Sequence, residues 1–124
     1  MSDIDPKAAC VHAYVAAFDA GDAEAAAALF AADATLEDPY GSEVLRGTDA
    51  IRAFYVRAMA SGARLALNGP PRVAGDAVAF AFTVTVAAVP GGLSIDVIDL
   101  FRFGADGRIA SMQAFWGPAN VRTG

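Results

Sequence analysis

A single carboxylate interrupts an apolar row in the second half of the chain. In the segment 93–103 the alternate residues that start at Leu93 are all apolar except Asp99, and alternate side chains of a strand point to one face. No lysine or arginine lies in that row, so a buried Asp99 must find a partner or take up a proton. Groups with a shifted pKa are concentrated at functional sites, which makes Asp99 a candidate. The alternative is a β-bulge or a shifted register that turns Asp99 to solvent.

Two tyrosines lie on the apolar faces of predicted helices. Tyr14 stands one helical turn from both Cys10 and Phe18, and Tyr55 lies on the apolar stripe of a later helix. A buried tyrosine hydroxyl needs a hydrogen-bond partner. That partner is either part of a functional site or a backbone carbonyl of the core, and each tyrosine taken alone favours the core interpretation.

A second aspartate precedes a proline. Pro39 pushes Asp38 toward an extended conformation, in which Asp38 shares a face with Leu36 while Glu37 points the other way. Such a carboxylate is either a base or a turn residue that bonds to the nearby backbone, as is common in Asp-Pro turns. Taken alone, the residue favours the turn interpretation.

Several other kinds of site are not indicated. His12 is the only histidine and no acidic cluster has the spacing of metal ligands, so no metal site is predicted. A serine nucleophile elbow, a phosphate loop and a dinucleotide fingerprint are absent from the sequence, and we expect no cofactor. Cys10 and His12 are two residues apart and cannot meet on one helix face, which excludes them as a nucleophile and base pair.

Three helices are predicted in the first half of the chain. Apolar spacing predicts a first helix that Gly21 ends, followed by a second over about 23–32 with Asp22 as its N-cap. A third helix is predicted after Gly47, with Thr48 as its N-cap.

The second half is predicted to form strands. A short extended piece over 34–38 precedes the third helix, and turn signals bound further stretches near 63–69, 72–75, 77–89, 93–103 and 108–116. Connections this short demand antiparallel pairing. The even-numbered residues of 77–89 and 108–116 are predicted to face a core or cavity. Helices followed by a strand meander indicate an α+β fold with helices on one face of a curved sheet.

Composition narrows the class of protein. The chain has 124 residues, the size of one domain, and 56% hydrophobic residues, enough for a core with a ligand-sized pocket. A net charge of −5 argues against a nucleic-acid partner, because phosphate binding needs a clustered basic face. The N-terminus resembles no secretory signal, the longest apolar stretch is too short to span a bilayer, and the single cysteine suits a reducing interior. We therefore expect a cytoplasmic protein without a membrane partner.

The three polar residues and their surroundings resemble bacterial ketosteroid isomerase over nearly the whole chain. The resemblance rests on five stretches: 17–22 (AFDAGD), 30–39 (FAADATLEDP), 47–55 (GTDAIRAFY), 97–103 (VIDLFRF) and 107–114 (GRIASMQA). Each stretch alone occurs widely in the larger superfamily shaped like nuclear transport factor 2. The combination of Tyr14, Asp38 and Asp99 is far more specific.

The resemblance implies a role for each of these residues. Asp38 would be the base, Tyr14 a hydrogen-bond donor to the oxyanion, and Asp99 a second donor in its protonated form. Tyr55 matches a tyrosine that hydrogen-bonds the oxyanion-hole tyrosine, and Phe30 falls where some members carry a further tyrosine. The positions that match the family's substrate pocket are all apolar here: Phe18, Phe54, Phe82, Val84, Val97, Met112, Phe115 and Trp116.

The resemblance also implies a fold, an assembly and an activity. The fold is a single domain over 1–124, in which three N-terminal helices and a cone-shaped, curved antiparallel sheet enclose an apolar pocket. The assembly is a homodimer packed through the sheets. The activity is that of a steroid delta-isomerase of steroid metabolism, whose small-molecule substrate is a delta-5-3-ketosteroid and whose product is the conjugated delta-4 isomer.

Two other functions remain open. One is a non-catalytic ligand-binding module on the same fold, because a fold does not fix a function. The other is a related enzyme, such as a polyketide cyclase, that acts on another ketone. The presence of Asp99 together with the Tyr14–Tyr55 pair favours the isomerase over both.

Overall fold

Three helices lie in the first half of the chain. The computed structural model describes residues 5–123, and its helices are α1 (Pro6–Ala20), α2 (Ala23–Ala27) and α3 (Thr48–Ala60). Helix α1 begins where the Asp5 side chain accepts a hydrogen bond from the Lys7 N–H, and it ends at Gly21, which has a left-handed φ of 64°. The predicted end of the first helix at Gly21 is therefore confirmed, as is Asp22 as the N-cap of α2.

Two predicted helix boundaries are wrong. Helix α2 ends at Ala27 rather than near Ala32, because Phe30 is buried in the core and already pairs with Ile109 as the first residue of a strand. Tertiary contacts here override the high helix propensity of the alanines. The N-cap of α3 is Gly47 rather than Thr48, since Gly47 has a φ of 93° that suits glycine and Thr48 is already helical.

The strands form one sheet. They are β1 (Phe30–Glu37), β2 (Leu45–Arg46), β3 (Ala63–Leu67), β4 (Arg72–Ala74), β5 (Ala77–Val86), β6 (Leu93–Phe103), β7 (Ile109–Phe115) and β8 (Val121–Thr123). The order is β2-β1-β7-β6-β5-β3, with β4 paired to β5 and β8 paired to β6. The five predicted strands of the second half are confirmed, although those predicted over 63–69 and 77–89 end at Leu67 and Val86. Their pairings are antiparallel, but β3 and β4 both pair with β5 rather than with each other. The parallel pairing of β1 with β7 was not predicted, because most of the chain separates the two strands.

The helices cover one face of this sheet, and the core lies between them. The large, fully buried side chains there are almost all apolar. Among residues 5–123, Asp99 is the only charged residue that is buried. Ala110 departs from the predicted alternation and is exposed, because the pairing of β6 with β7 skips it between Ser111 and Ile109. The architecture confirms the predicted α+β class with a curved sheet. In this part of the chain no helix is both long and apolar enough to cross a membrane.

Candidate active site

An apolar cavity of about 140 Å³ lies between the helices and the inner face of the sheet. Its lining includes all three polar residues singled out in the sequence, Tyr14, Asp38 and Asp99. They arrive from helix α1, from the end of strand β1 and from strand β6. A wider surface cleft of about 500 Å³ beside the β5–β6 hairpin contains none of them. The fold therefore brings the three candidates to one cavity.

Asp99 lies at the deep end of this cavity. It is 1% exposed, and among residues 5–123 neither of its carboxyl oxygens has a hydrogen-bond partner. Its neighbours across the sheet, Phe80 on β5 and Ala114 on β7, are both buried. Burial raises the pKa of Asp99 well above its usual range, and the nearby Asp38 carboxylate raises it further. Both effects favour the protonated carboxylic acid. Because Asp99 is buried, the alternative in which a β-bulge turns it to solvent is excluded.

Tyr14 and Tyr55 form a buried hydrogen-bonded pair. The Tyr55 hydroxyl donates to the Tyr14 hydroxyl at 3.0 Å, which leaves the proton of Tyr14 available to a group in the cavity. Aromatic edges surround the Tyr14 ring, with Phe101 the nearest at a centroid distance of 5.2 Å. Burial raises the pKa of both tyrosines well above the usual range, so each stays a neutral donor. Phe30 packs against Tyr55 at 5.9 Å and adds no further hydroxyl.

Asp38 is held by a side chain from the far end of the chain. The indole N–H of Trp116 donates to a carboxylate oxygen of Asp38 at 2.7 Å. Burial raises the pKa of Asp38, and this hydrogen bond partly offsets the rise. The adjacent turn is closed by Glu37 instead, whose carboxylate accepts the Gly41 N–H at 2.7 Å. Asp38 is thus free of the turn role and faces the cavity.

Six of the eight predicted pocket residues line the cavity: Phe18, Phe54, Phe82, Val84, Val97 and Trp116. Met112 is fully buried in the core but does not line the cavity. The prediction that Phe115 lines the pocket is wrong. This residue lies 42% exposed on the outer face of β7, where it stacks on Tyr40, because Ala114 occupies the inward position of that strand.

Four lining residues were missed from the sequence: Ala58, Ala63, Leu65 and Ile95. Alternation along the strand could have found Ile95, which shares the row of Val97 and Asp99. Ala58 follows Phe54 by one helical turn and so lies on the same helix face. Ala58 and Ala63 by themselves give little indication of a cavity, because alanine is common on every face of a helix or strand.

Over residues 5–123 no group of three or more histidine, cysteine or acidic side chains could hold a metal ion. The cavity instead combines one carboxylate with two neutral O–H donors inside apolar walls. A carboxylate in such surroundings can take a proton from carbon. Fixed donors aimed at a neighbouring oxygen can stabilise the charge that develops there. The arrangement suits proton transfer next to a carbonyl group.

Comparisons with known proteins agree with this chemistry. The family model described as the SnoaL-like domain matches residues 11–112. A protein of Nocardioides simplex named steroid Delta-isomerase is 42% identical over 113 residues, which cover 91% of each chain. The resemblance predicted from the five stretches is therefore confirmed. A solved structure, described as the epoxide hydrolase/cyclase-like enzyme SalBIII in pyran ring formation of the polyether salinomycin, matches with a TM-score of 0.89. It is 25% identical and the match covers 100% of both chains.

Proposed function

The chain belongs to the SnoaL-like domain family, and from this premise we propose that it is a steroid delta-isomerase. It converts a delta-5-3-ketosteroid to the conjugated delta-4-3-ketosteroid by intramolecular proton transfer. The observation that carries the proposal is the meeting of Tyr14, Asp38 and Asp99 in one apolar cavity. The identity of 42% to a protein named steroid Delta-isomerase supports the same substrate class.

Asp38 moves the proton. Its carboxylate removes the proton from the carbon between the carbonyl group and the double bond, and the electrons of that C–H bond form a dienolate. The same carboxyl group then returns the proton two carbons further along, which places the double bond in conjugation. Asp38 ends each cycle as the carboxylate with which it began, so the reaction consumes no other reagent.

Tyr14 and Asp99 hold the oxygen on which the charge of the dienolate gathers. Each offers an O–H group that is already desolvated, so no solvent has to rearrange as charge develops. Asp99 can donate only as a carboxylic acid, which its apolar surroundings favour. This division of labour between a base and a neutral acid is the known arrangement of ketosteroid isomerase and is carried over here by resemblance. Tyr55 supports it by donating to Tyr14.

A direct assay tests the proposal. Purified protein is given a delta-5-3-ketosteroid, and the conjugated enone is followed by its ultraviolet absorbance. Asp38→Asn keeps the shape of the side chain but removes the base, so we expect kcat to fall about 10²- to 10⁴-fold. Asp33→Asn on the exposed part of β1 is the matched control and should leave kcat unchanged. An Asp38→Asn variant as fast as the wild type would show that the base is misassigned.

A cyclase acting on another ketone is the second candidate. The observation in its favour is the close structural match to an enzyme described as cyclase-like. The pairing of a protonated Asp99 with the Tyr14–Tyr55 donors supports the isomerase instead. Absence of enone formation from several ketosteroids would favour the cyclase or a binding module.

The working protein is proposed to be a homodimer of single domains in the cytoplasm. An exposed apolar cluster on the outer face of the sheet supports the dimer, since Ile98 pairs with Phe115 and Tyr40 stacks on that ring. These three side chains are 42 to 58% exposed in the single chain. Sedimentation equilibrium that found only monomer at micromolar concentration would contradict the dimer.

A further inference from the structure

The cavity is small for a molecule of four fused rings. Its volume of about 140 Å³ is close to that of a cavity of about 150 Å³ that binds benzene. Pockets that enclose whole drug-sized ligands measure about 300 Å³ or more. The cavity is therefore too small to enclose the whole molecule, and the rings far from the carbonyl group must extend toward the end away from Asp99. This step rests on the proposed function.

The strand register shows which residues lie along that path. Asp99 pairs with Phe80 at the deep end, and the next inward pairs are Val97 with Phe82 and Ile95 with Val84. Each step of two residues advances about 6.6 Å along a strand, so Ile95 lies about 13 Å from Asp99. A substrate whose carbonyl oxygen meets Asp99 thus directs its far rings toward Ile95 and beyond.

The end of the cavity furthest from Asp99 along β5, called the mouth below, lies where helix α3 leads into strand β3. Ala58 lies one helical turn beyond Phe54, and Ala63 opens β3 opposite Val86 of β5. Both alanines line the cavity. Their neighbours in the lining at this end, Leu65 and Val84, are also apolar. The lining residues that carry a polar group are Tyr14, Asp38, Asp99 and Trp116, and none of them lies on α3 or β3.

We propose that Ala58 and Ala63 form the subsite for the far rings of the substrate and set the length of fused-ring ketone that the enzyme accepts. Their methyl side chains leave open the space through which the rings extend. A larger side chain at either position would fill that space without touching Tyr14, Asp38 or Asp99. The two residues therefore determine specificity and take no part in the proton transfer.

Two substrates of different length distinguish a subsite for the far rings from a general effect on folding or catalysis. A bicyclic ketone with the same unsaturation carries only the reacting ring and one neighbour, whereas the four-ring ketosteroid reaches the mouth. For Ala58→Leu and Ala63→Leu we expect kcat/KM on the four-ring ketone to fall about tenfold or more. We expect kcat/KM on the bicyclic ketone to stay within about twofold, which also reports that the variant is folded.

The control is Ala53→Leu, which adds the same volume to the exposed face of the same helix and should change neither rate. Equal losses on both ketones, or no loss on the four-ring ketone, would overturn the subsite. A wild-type protein that isomerises neither ketone would instead overturn the proposed function. The two failures are therefore distinguishable.

Discussion

The titratable side chains of the candidate site all have raised pKa values, which is the direction that the proposed chemistry requires. The Asp99 carboxyl group has no hydrogen-bond partner in the described part of the chain. It lies between Phe80 and Ala114, where an ionised acid would be costly. Asp38 is also desolvated, but it receives one hydrogen bond from Trp116 that favours its charged form. The two aspartates therefore differ in partners, and this difference separates the proposed base from the proposed acid.

The two tyrosines should contribute unequally to catalysis. Tyr14→Phe removes a donor that faces the cavity, and we expect kcat to fall about 10²- to 10³-fold in the ultraviolet assay. Tyr55→Phe leaves the Tyr14 hydroxyl in place and removes only the bond donated to it at 3.0 Å, so a loss of about tenfold or less is expected. A larger loss from Tyr55→Phe than from Tyr14→Phe would contradict the assigned order of the two hydroxyls.

Trp116 should tune the base. The proposed base must be a carboxylate to act, so kcat/KM should fall as the pH drops through the pKa of Asp38, which burial raises above its usual range. Trp116→Phe removes the hydrogen bond that lowers this pKa, so the acid limb of the pH–rate profile should move to higher pH.

Phe115→Leu is the matched control for that experiment. Phe115 is the neighbouring aromatic residue but lies on the outer face of β7, outside the cavity. Its replacement should leave the acid limb in place. An acid limb that Trp116→Phe leaves unmoved would show that the indole does not tune Asp38 in solution.

At the scale of elements, the ends of the helices and strands are decided by two different influences. Helix α1 ends where its sequence predicts, because Gly21 adopts a left-handed conformation that other residues resist. Helix α2 ends earlier than the helix propensity of its alanines predicts. The Leu29 carbonyl accepts a hydrogen bond from the Ile109 N–H of β7, and Phe30 pairs with the same residue. Local backbone preference decides the first boundary and sheet pairing decides the second.

The left-handed turn at Gly21 can be tested by substitution. No atom lies within 4 Å of a Cβ at this position, so Gly21→Ala meets only the backbone cost of a φ of 64°. We expect the free energy of unfolding in urea to fall by about 1–2 kcal/mol. Gly117→Ala has equal space but an extended φ of −146° and should have a much smaller effect. Equal effects at both positions would argue against backbone strain as the cause.

At the scale of the whole molecule, the buried acid makes stability depend on pH. Below about pH 4 Asp99 is protonated in both the folded and the unfolded chain. Above that pH the unfolded chain releases the proton while the folded chain retains it, because burial raises the folded pKa. The free energy of unfolding should therefore fall as the pH rises, by up to about 1.4 kcal/mol per pH unit, until the folded pKa is reached.

Asp99→Asn removes this dependence because an amide does not titrate. Urea unfolding of both proteins between pH 4 and pH 7 should show the wild type losing stability relative to the variant. Asp96→Asn gives a contrast of opposite sign below about pH 4, because Arg122 lowers the pKa of that exposed carboxylate and its stabilising effect is lost only as the pH falls further. Parallel profiles for the wild type and Asp99→Asn would mean that Asp99 is not held as an acid in the folded protein.

The sequence alone determined the features that depend on short-range rules. Alternation along 93–103 singled out Asp99 as a buried acid, and turn residues fixed the strands of the second half. Alternation also places Phe115 outside the cavity, against the role that the resemblance implied for it. Only the resemblance assigned roles to Tyr14 and Asp38, each of which alone favours a structural interpretation.

The tertiary structure decided what brings these residues together. The Tyr55–Tyr14 bond joins side chains 41 positions apart, and the Trp116–Asp38 bond joins side chains 78 positions apart. Neither follows from local periodicity, because both depend on how α3 packs against α1 and on the parallel pairing of β1 with β7. The same packing brings Ala58 and Ala63 into the lining of the cavity. A side chain's facing direction is a property of its own strand or helix, whereas its neighbours are set by elements distant in the chain.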